Sequence, residues 1–147
     1  MARTSCAYCE SQDIKDRTIT RNALAWAFPT NIPIVPGHVL ICPVRCVATF
    51  DELNNEEKAA IFELAGQLRI ALAKTFDAAG FNYAVNEGAV AGQSIPHFHL
   101  HMLPRKAGDT GITEYEPRQF LYRPGTREAT AEDELREVAR LIRGALA

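Results

Sequence analysis

The chain has no apolar run near the ~18 residues that a helix needs to cross a bilayer. Its opening stretch, MARTSCAYCESQDIK, has neither an apolar core nor a cleavage pattern, which argues against a secretory leader and for the cytoplasm. Charge of one sign is scarce as well. Lys and Arg number 16 against 18 Asp and Glu, a net charge of −2, and the pI is near 6.1. A surface built to coat nucleic acid is excluded by that balance; a small basic pocket is not. There is no internal repeat, low-complexity run or linker, so residues 1–147 read as one domain. Cysteine is limited to four residues, and in a reducing compartment these are not expected to form structural disulfides.

What the sequence does contain is concentrated. The N-terminal segment, residues 1–16, carries Cys6 and Cys9 as C-x-x-C, a spacing suited to metal binding or redox chemistry. A thioredoxin-like redox pair needs a helix starting at the cysteines inside a βαβ unit. The continuation CAYCESQDIKDR reads as polar and turn-like, which favours metal.

Residues 18–28 read as extended, and Pro29, Pro33 and Pro36 punctuate a loop ending in the turn Pro36-Gly37. HVLIC follows as a buried strand stopped by Pro43. A long helix is expected from Asn54, with Glu57 completing a capping box. Ile61, Leu64, Ala65, Leu68, Leu72 and Phe76 form its apolar face, and Gly80 ends it. FNYAVN is expected as a strand, EGAVAGQS as a loop, and PHFHLHML as a strand closed by Pro104. A last helix, within residues 126–147 and beginning near Thr130, places Leu135, Val138, Ala139, Ile142 and Leu146 on one face. The sum is an α+β domain: an antiparallel sheet covered on one side, one long central helix and a C-terminal helix.

Three of the four histidines, His97, His99 and His101, stand at alternate positions of PHFHLHML. In a strand they share one face, opposite Phe98, Leu100 and Met102. The apolar face explains itself as core. Three imidazoles need polar partners, so their face is expected at a site. A single three-histidine metal centre is disfavoured, because the outer two Cα atoms of such a strand are about 13 Å apart. Phosphate chemistry fits better. An imidazole with an ordinary pKa near 6.5 is mostly neutral and nucleophilic at pH 7, and neighbouring N–H donors stabilise charge developing on phosphorus oxygens. Upstream, AGQS supplies Gln93, Ser94 and backbone N–H groups of the kind phosphates take. Arg105 and Lys106 could draw in a polyphosphate or simply be solvated. The aromatic stretch EYEPRQFLYRPG could cover a ligand, a subunit contact or part of the core.

GQSIPHFHLHMLPR resembles the signature of the histidine triad (HIT) family, and IPIVPGHVLICPVR resembles that family's earlier strand with its Pro-Gly-His turn. NEGAVAGQS and LPRKAGD are similar in particular to the fragile histidine triad branch, the dinucleoside polyphosphate hydrolases. The resemblance covers about residues 25–109 and implies a HIT-like fold. It implies that His99 is the nucleophile, attacking an α-phosphorus to give a nucleotidyl-imidazole that water hydrolyses. His101 would then hydrogen-bond the phosphate and bridging oxygens. His97 completes the triad, and His38 packs beside it. Gln93 and Ser94 match phosphate contacts, and Asn86 matches a ribose or phosphate contact. Thr30 stands where the fragile branch has a ribose-binding Asn.

The resemblance further implies a homodimer whose strands join into one sheet, and allows Mg²⁺ to accompany the substrate. Many bacterial members add a zinc site built from the C-x-x-C, a His after P-x-R and the first triad His. Here PVRC places Cys46 at that third position, which gives Cys6, Cys9, Cys46 and His97 as a closed Cys3His set for a structural Zn²⁺. Alternatively His97 only hydrogen-bonds within the site and Cys46 is merely buried. Cys42 has no assigned role.

The leading expectation is hydrolysis of a dinucleoside polyphosphate at the α-phosphate. A nucleoside phosphoramidase and a non-catalytic, zinc-stabilised nucleotide-binding module are the alternatives. Neither membrane nor nucleic acid is an expected partner.

Overall fold

The structure, a computed structural model, describes residues 6–109 and 129–146. In chain order the elements are helices α1 (Ala7–Glu10) and α2 (Gln12–Asp16), then strands β1 (Thr20–Arg21), β2 (Ala25–Pro29) and β3 (Val39–Pro43). The long helix α3 (Asn55–Phe76) follows, then β4 (Gly80–Ala84), β5 (Leu100–Arg105) and helix α4 (Glu132–Gly144). The five strands form one sheet in the order β1-β2-β3-β5-β4, and every neighbouring pair is antiparallel. This is the expected α+β architecture. None of the described helices is long and apolar enough to cross a membrane.

Alternation along β2 and β3 sorts their residues between two layers. Ala25, Ala27, Val39 and Ile41 meet Leu64, Leu68 and Leu72 of α3, with Leu100 and Met102 of β5 and Ala139 and Ile142 of α4. Trp26, Phe28, Leu40 and Cys42 point the other way, into a second cluster with Cys6, Tyr8 and Ile14. The sheet is therefore covered on both faces, not on one. The expectation missed this because α1 and α2 are too short to show helical periodicity. The second layer is the one that carries the histidines, since His101 pairs across the ladder with Leu40.

Helix α3 begins as expected. Glu57 N–H donates to Asn54 Oδ1, and Asn54 N–H donates to Glu57 Oε1, a complete capping box. It ends earlier than expected. Asp77 takes a left-handed conformation (φ 55°) and stops the helix, a position a short polar side chain tolerates. Gly80 instead opens β4.

The histidine strand also differs. β5 starts at Leu100, so His97 and His99 lie on the approach to it and only His101 is in the ladder. His97 N–H turns back to Ile95 O (2.8 Å), and Phe98 N–H donates to Val47 O (2.6 Å) instead of to β3. Pro104 does not close the strand, which runs on to Arg105. It is tolerated because β3 no longer runs alongside: the β3–β5 ladder ends at Met102. The stretch EYEPRQFLYRPG lies outside the described residues. So do residues 126–128 of the expected C-terminal helix, which starts at Glu132.

Candidate active site and metal cluster

Each triad histidine is buried and each has different partners. The partners assign the tautomers, because a carbonyl oxygen accepts and a backbone N–H donates. His99 Nδ1 lies 2.8 Å from the His97 carbonyl oxygen. That nitrogen carries the hydrogen, and the lone pair is on Nε2. His38 Nδ1 accepts from Ile34 N–H at 3.1 Å. The hydrogen of His38 is therefore on Nε2, 3.0 Å from His101 Nδ1, and donates there. His101 then carries its own hydrogen on Nε2. The rings of His99 and His101 meet edge to face with centroids 4.9 Å apart. One residue presents a lone pair at Nε2; its neighbour presents an N–H at the same ring position.

His38 owes its place to the Pro-Gly-His turn. Gly37 has φ 88°, and a Cβ there would lie 2.8 Å from Phe76 of α3 and from Pro104 of β5. Only glycine satisfies both the left-handed backbone and the close approach. His38 N–H closes the turn on Val35 O.

His97 faces away from this pair. Its Nε2–H donates to Pro43 O at 2.7 Å, which leaves the Nδ1 lone pair toward Cys6 Sγ (3.3 Å) and Cys9 Sγ (3.6 Å). Burial holds this imidazole below its ordinary pKa, hence neutral, as a ligand must be. Cys6 caps α1, its Sγ accepting from Cys9 N–H. The C-x-x-C thus does start a helix, contrary to the turn-like reading, although no βαβ unit surrounds it among the described residues. Cys46 comes from the loop after β3. That loop is pinned by Arg45, which donates to both carboxylate oxygens of buried Glu57 (2.7 and 3.0 Å) and to Glu52 O.

The ligand atoms of Cys6, Cys9, Cys46 and His97 all lie within 4.8 Å of one another, a cluster able to coordinate a metal ion. The donor set fits zinc: three sulfurs and one imidazole, with no fifth side chain in the group among the described residues. Burial and the adjacent thiols of Cys6 and Cys46 push the Cys9 thiol up to about 12. Crowded thiols of this kind resist ionising together, and a cation among them reverses that balance. Cys42, fully buried, is held well above the ordinary thiol range by burial and is inert.

A cavity of about 760 Å³ opens beside the triad. His99, His101, Asn86 and Ser94 line it, so the structure brings these four expected residues together. Thr30 lines it as well. Gln93 is not among the lining residues. Its amide takes Gly88 N–H on Oε1 and donates from Nε2 to Ala48 O, holding the loop whose neighbours Gly92 and Ser94 reach the cavity. Arg105 is bound to Asp109 and Asn82, so the structure ties it into its own turn and leaves Lys106 exposed.

Two contributors went unread in the sequence. Tyr8, between two of the cluster's cysteines, packs edge-on against His99 and Phe28, each at 5.3 Å. Arg17 and Glu132, 115 residues apart, join in the cavity wall. The only signal for Tyr8 was its place inside the C-x-x-C; for the Arg17–Glu132 pair there was none.

Residues 11–108 match the HIT domain. Among relatives, an uncharacterised 16.1 kDa HIT-like protein of Mycoplasma pneumoniae is 33% identical over 114 residues, 76% of this chain and 78% of that one. The asymmetrical bis(5'-nucleosyl)-tetraphosphatase of Schizosaccharomyces pombe is 33% identical over 102 residues, which is 69% of this chain but only 56% of the yeast protein. The crystal structure of the Caenorhabditis elegans NitFhit protein superposes with a TM-score of 0.72 at 27% identity, covering 89% of this chain and 27% of the worm protein. With the domain matched across two thirds of its length and its triad geometry in place, the chain belongs to the HIT family.

Proposed function

We propose that this HIT-type enzyme hydrolyses dinucleoside polyphosphates through a covalent nucleotidyl-His99 intermediate. The observation that carries the reading is the opposed tautomers of two adjacent rings, His99 with its lone pair on Nε2 and His101 with its hydrogen there. His99 Nε2 attacks the α-phosphorus, a P–N bond forms, and the bridging P–O bond breaks. The leaving nucleotide takes the bridging oxygen, toward which His101 Nε2–H donates as charge develops. Water then displaces the nucleotidyl group from Nε2, and the water's proton passes to solvent. Asn86 and Ser94, which line the cavity, serve the ribose and phosphates in this reading. The yeast relative's name, a nucleosyl tetraphosphatase, supports the same substrate class.

In this reading Zn²⁺ is held by Cys6, Cys9, Cys46 and His97 Nδ1. Four protein ligands close its tetrahedron, so its contribution is to fasten the N-terminal segment to the triad, not to activate water. In this reading the dimer contact belongs at β4, the longer of the sheet's two edge strands, which pairs only with β5 among the described residues, the other edge, β1, being two residues long.

The test is a panel of diadenosine polyphosphates and adenosine phosphoramidates presented to the purified chain. Release of a nucleoside monophosphate from the polyphosphates supports the proposal. Turnover confined to phosphoramidates would assign the chain to phosphoramidase chemistry, and binding without turnover would make it a binding module.

A further inference from the structure

Arg17 is buried, with 4% of its surface exposed, yet it lines the same cavity as His99 and His101. Its Nε–H donates to Pro29 O at 3.0 Å, and Nη1 reaches both carboxylate oxygens of Glu132 at 2.7 and 2.8 Å. Its guanidinium carbon stands 5.9 Å from the centre of the Phe28 ring. These contacts account for Nε and Nη1. Nη2, with two hydrogens, has no hydrogen-bond partner among the described residues. A staple joining α2, β2 and α4 explains the first two nitrogens and leaves the third unexplained. Buried donors of this kind find acceptors, and the cavity that Arg17 lines offers one to Nη2 in water or a bound ligand.

The pair's position suits the far end of a nucleotide. A ladder of ring contacts leads to it from the nucleophile: His99 to Tyr8 at 5.3 Å, Tyr8 to Phe28 at 5.3 Å, then Phe28 to Arg17. Ile14 and Ile32 line the same cavity and offer apolar faces to a flat ring. Glu132, whose side chain is one-third exposed, keeps carboxylate lone pairs beyond the two facing Arg17. A donor and an acceptor thus stand side by side in the cavity wall.

We infer that Arg17 and Glu132 together read the N7 edge of the nucleobase and select adenine. This rests on the reading of the cavity as a nucleotide site. On that edge adenine offers the N7 acceptor beside its 6-amino donor. Guanine presents two acceptors, N7 and O6, on its major-groove edge, which sets O6 against the carboxylate. A purine lacking the 6-amino group gives Glu132 nothing to accept. Arg17 and Glu132 are therefore specificity-determining residues, set apart from the histidine chemistry.

The test is calorimetric binding of three product-type ligands to the full chain: AMP, GMP and purine riboside 5'-monophosphate, which has no 6-substituent. It needs no turnover. The wild type is expected to bind AMP roughly 10-fold more tightly than either of the others. Arg17→Met and Glu132→Ala, which removes the acceptor, are expected to bring all three within about twofold, by loss of AMP affinity. Arg17→Lys, which keeps the charge beside Glu132, checks the result should Arg17→Met fail to fold. It is expected to lose the preference as well, because one ammonium cannot serve Pro29, Glu132 and a base together. Equal binding of the three nucleotides by the wild type would overturn the base-reading inference alone, as would an AMP preference that survives in folded variants. If none of the three binds, both the inference and the nucleotide reading of the cavity fall.

Discussion

His38 Nε2 stands 3.0 Å from His101 Nδ1, and the direction of that hydrogen bond is fixed from behind by the Ile34 N–H on His38 Nδ1. A residue outside the triad thus decides where a triad member keeps its proton. His38→Phe removes the donor and lets His101 take its hydrogen on Nδ1. The expected result is a kcat lower by roughly 10–100-fold, the usual scale for losing an orienting partner, with KM little changed. Steady-state kinetics on a dinucleoside polyphosphate measures it. An unchanged kcat would mean that the tautomer of His101 does not matter.

The turn carrying His38 makes a second prediction. Gly37→Ala places a Cβ 2.8 Å from Phe76 and Pro104 on a backbone at φ 88°. The strained backbone costs roughly 1–3 kcal/mol, and the contacts must open further. Thermal unfolding should show a clear loss of stability accompanied by reduced activity, because His38 moves with the turn. Retention of both would contradict the packing described for Gly37.

Glu57 sets a pH dependence. The Arg45 guanidinium, with the Asn54 N–H, holds its carboxyl below the ordinary carboxylate value against the effect of burial. A group whose folded pKa is lowered stabilises the fold above its unfolded pKa, and that stability is lost as pH falls through the folded value. Glu57→Gln should therefore lower the melting temperature at pH 7 and narrow its gap from the wild type in the acid range, below about pH 4.3. A gap constant from pH 7 to pH 3 would show that the Glu57 charge contributes nothing.

The Cys3His cluster makes a fourth. Zinc content of the purified protein should approach one ion per chain, and Cys46→Ala should lower it. Hydrogen exchange should then quicken across residues 7–16, the two short helices beside the cluster, while α3 stays protected. Unchanged protection on metal loss would remove the cluster's role in fastening this segment.

The sequence made much of this legible because strong local signals agree with the fold. Asn54 and Glu57 gave the helix start, and the order Pro36-Gly37-His38 gave the turn. Alternation placed Phe98, Leu100 and Met102 in the core. It misled over His97 and His99, which alternate like strand residues but precede the ladder, because side-chain partners at Pro43, Cys6 and Cys9 hold His97 there. The C-x-x-C with Cys46 was readable through family resemblance. Helices α1 and α2 were not, being held by the caps Cys6 and Ser11 and by packing instead of periodicity. Arg17 and Glu132 meet across 115 residues, and no local pattern announces such a pair.

The most direct measurement concerns His99 itself. Wild-type protein mixed with a dinucleoside polyphosphate is quenched within one turnover in alkaline denaturant, since the P–N bond is acid-labile, and digested for mass spectrometry. A nucleotidyl group is expected on His99 and absent from His99→Ala, which should also lack turnover. Full turnover by His99→Ala, or an adduct mapped to another residue, would contradict it.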